Sequence, residues 1–176
     1  MFRGCTALVT APSLPATTLA SSCYSQMFQE CTALTVAPDL PAVTIVNSCY
    51  KQMFNGCTAL VHVPRMYGTA HSLAGNCYSE MFNECVNLEE LPALPIQTKL
   101  PASCYASMFA GCTKIKISQT QTGDYVTPYR IPTTGTGTVA GSGQFTDMFK
   151  NTGGSFKSTP TINTTYYTSN TVISVT

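Results

Sequence analysis

From Leu19 onward, the apolar residues Cys23, Tyr24, Met27, Phe28 and Cys31 fall on one half of a helical wheel. Ser21, Ser22, Ser25, Gln26 and Gln29 fall on the other half, so the pattern predicts an amphipathic helix with one buried face. Thr18 and Thr44 precede the first apolar residue as N-caps. Gly4, Gly56 and Gly111 stand where a C′ glycine would end the helix, although Glu30 and Glu84 hold that place in other copies. Pro101, which a helix accepts only in its first turn, sets a helix start near Leu100.

The residues between these segments read differently. In "TALTVAPDLP" the prolines recur at 12, 38, 64 and 92, forbid a continuing helix and bias their predecessors to extended backbone. A short strand around Leu8, Leu34, Leu60 and Leu88 follows from this.

The two halves alternate because the chain repeats itself. Met-Phe occurs at 1, 27, 53, 81 and 108, in steps of 26, 26, 28 and 27, with a degenerate copy at Met148-Phe149. One strand and one helix cannot bury their faces alone, so neighbouring copies must stack. The expected fold is α/β: a right-handed β/α solenoid of leucine-rich-repeat type. The array occupies residues 1–112, with copies starting near 1, 27, 53, 81 and 108. Because Met1-Phe2 holds the place of Met27-Phe28, the first helix is missing and the chain reads as a fragment of a longer protein.

After Cys112 the rhythm fails, and residues 113–176 are expected to form an irregular β-rich C-terminal cap containing the degenerate copy. "KIKIS" at 114–118, "DYVTPYRIP" at 124–132 and "TPTINTTYYTSNTVISV" from 159 read as strands, and "QFTDMFKN" at 144–151 as a helical remnant.

The phrase MFxGCTxLxxAPxLPAxxLxxxCYxx resembles the BspA-like leucine-rich repeat proteins of bacterial surfaces and secretions, over roughly residues 1–112. That resemblance implies a β/α solenoid, an extracellular or cell-surface setting and adhesive or protein-binding roles. It implies no catalytic residue. The usual leucine-rich pattern carries Asn at the strand's end, where this chain carries Pro.

The nine cysteines follow the repeat, with a constant step of 8 between those flanking each Met-Phe pair. Cys23 and Cys31 would lie about 12 Å apart in a helix, beyond the roughly 7 Å limit for a disulfide, so no bridge within a copy is expected. An odd count leaves at least one thiol unpaired. Zinc would need ligands from separate copies without C-x-x-C or a supporting His pattern; small buried thiols in two columns are the simpler reading.

Composition removes several functions. Charged residues are 10% of the chain, against roughly 25% in typical domains, and the formal net charge is +1. There is no basic run for nucleic acid or an anionic membrane and no apolar stretch near the length of a bilayer span. "TTGTGTVAGSG" lacks the Lys-Ser/Thr that closes a phosphate loop, and Asn163-Thr164-Thr165 is a glycosylation sequon relevant only to a eukaryotic secretory pathway. Glu89-Glu90, adjacent on a strand, would face opposite sides and make a poor acid/base pair. No catalytic constellation is legible, so no enzyme and no cofactor is expected.

Variation between copies gathers beside the strand. After Leu8, Leu34, Leu60 and Leu88 the sequence runs Val-Thr, Thr-Val, Val-His and Glu-Glu, and the prolines are followed by Ser13, Asp39, Arg65 and Ala93. The third copy carries two extra residues, in "RMYGTAHSL", which map to a loop on one side. His62, Arg65, Tyr67 and His71 are therefore the candidate partner-binding residues, while Asp39 and Arg65 on adjacent copies also fit simple neutralisation. The expectation is a non-enzymatic module binding a protein or glycan. The alternative is a structural spacer or virion component that self-associates.

Overall fold

The computed structural model describes residues 1–66, 73–94, 99–133 and 135–169, and the backbone of 173–174. None of the described residues is in an α-helix, and this overturns the expected β/α solenoid of leucine-rich-repeat type. The segments read as helices are ribbons of overlapping turns. In the first full copy, the N–H groups of Cys23, Ser25, Met27, Gln29 and Cys31 each donate to the carbonyl three residues back, at 3.1–3.2 Å. The alternate N–H groups leave the copy altogether. Ser22, Tyr24, Gln26, Phe28 and Glu30 donate to Asn47, Cys49, Lys51, Met53 and Asn55 of the next copy, at 2.7–3.0 Å.

A helix would send every amide to the residue four back, so its ladder is replaced here by one that is half local and half between copies. The physical cause lies in every fourth residue. Ser22, Gln26 and Glu30 have φ of 60°, 57° and 61°, a left-handed conformation that interrupts any helix. Gly56 and Gly111, with φ of 74° and 78°, hold the place of Glu30, so they mark a repeating turn and no helix end. The same scheme runs through "QFTDMFKN", where Thr146, Met148 and Lys150 donate three residues back and Asp147 has φ of 55°. Leu100, the expected helix start, is in a strand.

Successive copies are sealed by side chains in register. Phe2, Phe28, Phe54, Phe82, Phe109 and Phe149 stack with centroids 5.5–6.1 Å apart and ring planes within 18°. Tyr24, Tyr50, Tyr78, Tyr105 and Phe145 form a second column at 5.7–6.0 Å. These separations fit offset stacking, worth about 0.5–1.5 kcal/mol per pair beyond burial. The ring beneath Phe109 comes from Phe149, forty residues later, because the intervening chain leaves to build the cap.

The extended halves form little sheet. Thr10 with Val36 and Leu40 with Met66 are isolated parallel bridges, since each proline removes a donor from the ladder. Among the described residues, eight short strands follow in chain order: β1 Leu91–Pro92, β2 Lys99–Leu100, β3 Lys116–Ser118, β4 Thr127–Arg130, β5 Thr138–Val139, β6 Gly153–Gly154, β7 Thr165–Thr168 and β8 Ile173–Ser174. The largest sheet has the order β4-β7-β3-β6, antiparallel except between β3 and β6. Parallel pairs β1-β8 and β2-β5 tie the cap to the fourth copy. Phe156 and Tyr166 close the phenylalanine column, each meeting Phe149 edge-on at 6.2 Å.

Candidate functional site

The proline-rich side of copies two and three forms a shallow groove. Leu40 donates its N–H to the Arg65 carbonyl at 2.8 Å, which sets Asp39 of one copy beside Arg65 of the next. Thr35, Val36, Ala37, Asp39, His62, Val63, Pro64 and Arg65 enclose a cavity of about 330 Å³. Its lining combines Val36, Ala37, Val63 and Pro64 with residues of both charge signs, Asp39 and Arg65. Val36 is 53% exposed, as is Val9 in the first copy at 54%.

Two side-chain contacts join copies, the first at the groove and the second at a neighbouring cleft. His62 Nδ1 lies 2.9 Å from Glu90 Oε1, and Lys114 Nζ lies 2.8 Å from Glu89 Oε1. The Lys114 hydrogen bond and charge hold the Glu89 carboxyl below its ordinary range, with a smaller contribution from His62. Each carboxylate of the Glu89-Glu90 pair is thus engaged by a different partner. Beyond them, Glu89, Thr113, Lys114, Lys116 and Ser169 line a second cleft of about 290 Å³ where the array meets the cap.

His62 and Arg65 both line the groove, so two of the four candidate residues come together. Tyr67 and His71 lie outside the described residues. Sequence reasoning missed Glu90 as the partner of His62, although the signal was present: the two are 28 residues apart, the step of that copy. Val36 was among the variable positions without being taken as a candidate, and Val63 was missed.

The thiols are ordered by the repeat. All nine cysteines are free; Cys5 and Cys23 are exposed and seven are buried. Cys31, Cys57, Cys85 and Cys112 donate their thiols to the carbonyls of Phe2, Phe28, Phe54 and Phe82 at 3.0–3.1 Å. Burial pushes the thiols of Cys49, Cys57 and Cys104 up to about 12 and those of Cys77 and Cys85 well above the ordinary range. These groups stay protonated and therefore poorly nucleophilic at neutral pH. Among the described residues no group of three His, Cys, Asp or Glu side chains is placed to hold a metal ion.

The glycine loop is strapped down by side chains. Asn163 accepts from the Gly137 N–H at 3.1 Å and donates to the Gly137 carbonyl at 2.9 Å. The Arg130 guanidinium donates to Asn163 at 2.8 Å and to the Gly135 carbonyl. The Asn163 amide is thereby consumed, which leaves the sequon's acceptor nitrogen in use by the fold.

No family model, no characterised protein and no solved structure matches the chain.

Proposed function

We propose that the chain is a non-enzymatic binding module whose proline-side groove docks a protein or glycan partner. The observation that carries this reading is the groove itself, where the exposed Val36 with Ala37, Val63 and Pro64 stands beside Asp39, His62 and Arg65 from two successive copies. Exposed apolar surface rimmed by polar residues is the usual composition of a docking site. The repeat phrase supports a sequence kinship with BspA-like proteins, and with it a surface or secreted setting. The engagement of His62 by Glu90 and the protonated state of the buried thiols support a role without catalysis.

The test is binding of the purified chain to a glycan array and to a panel of purified extracellular proteins. Saturable binding by the monomer, weakened about tenfold or more by Arg65→Ala or His62→Ala with no change in melting midpoint, is the expected result. Binding indifferent to both substitutions overturns it. Self-association by sedimentation, with no ligand bound, points instead to the spacer or virion component.

A further inference from the structure

We draw no further inference here: the strongest candidate, the outer face of the first copy where Phe2, Cys5, Cys23 and Tyr24 lie at the end of the stack, carries nothing, because nothing in the structure shows what covers it.

Discussion

The thiol of Cys57 donates to the backbone carbonyl of Phe28, 3.1 Å away in the preceding copy, and the same oxygen accepts the N–H of Cys31, also at 3.1 Å. One carbonyl thus closes a turn and receives a thiol from the next layer. Serine is small enough to make that contact but costs more to bury, and alanine cannot make it. Cys57→Ala is expected to lower stability by about 1–2 kcal/mol in urea unfolding, the cost of a lost contact and a small void. Cys5→Ala, at an exposed thiol, is expected to change it by less than about 0.5 kcal/mol.

Thiol chemistry should split by position. Under native conditions an alkylating reagent should label Cys5 and Cys23 and spare the seven buried cysteines, with all nine labelled in denaturant. Peptide mass mapping reads this directly. Rapid native labelling of Cys85 or Cys112 would contradict the described burial.

Those buried thiols also set the alkaline limit of stability. Cys49, Cys57 and Cys104 move from an ordinary 9.0 to about 12 in the folded chain. Above the ordinary value the unfolded chain releases these protons and the folded chain keeps them, so stability falls as pH rises between the two values. Each thiol contributes a slope of at most about 1.4 kcal/mol per pH unit. Urea midpoints should stay level to about pH 8 and decline steadily beyond pH 9; a midpoint unchanged at pH 11 would count against it.

Glu89 should behave in the opposite sense. Its carboxyl is held low by Lys114, so the stabilising pair is present above the ordinary carboxylate range and is lost as pH falls through the depressed value. An NMR titration should find the Glu89 carboxyl below the ordinary carboxylate range. Lys114→Ala should move it back toward the ordinary value, as should high salt.

Close backbone approach separates two glycines. A Cβ on Gly153 would lie 2.5 Å from the Thr113 carbonyl oxygen and 3.2 Å from that of Ile115, both main-chain atoms. Gly153→Ala should cost about 3 kcal/mol or prevent the cap from docking. Gly123→Ala, at φ of 58° with open space around its Cβ, should cost only the left-handed strain of about 1 kcal/mol. Differential scanning calorimetry of the two variants makes the comparison.

Much of what the sequence concealed follows from one ambiguity. Cys23, Tyr24, Met27, Phe28 and Cys31 occupy one side of a helix, but two inward and two outward residues repeating every four give the same assignment. The deciding residues, Ser22, Gln26 and Glu30, are left-handed in the fold, yet only glycine and, more weakly, asparagine betray that conformation in sequence. The degenerate copy at Met148-Phe149 was legible as a motif, whereas its stacking directly on Phe109, forty residues earlier, was not. At the groove, the variable positions led to His62 and Arg65 and included the exposed Val36, whereas the half-buried Val63 was indistinguishable from a core residue.

The backbone hydrogen bonds between the turn ribbons of successive copies run one way, with an electrical consequence. Phe2 donates to Met27, Phe28 to Met53, Phe54 to Met81, Phe82 to Met108, Phe109 to Met148 and Phe149 to Ser158, so these peptide units line up head to tail along the stack. Their dipoles add as they do in a helix, although the chain runs crosswise to the sum. The sum has its negative end toward the first copy and its positive end toward the cap, which accepts the last donor at Ser158.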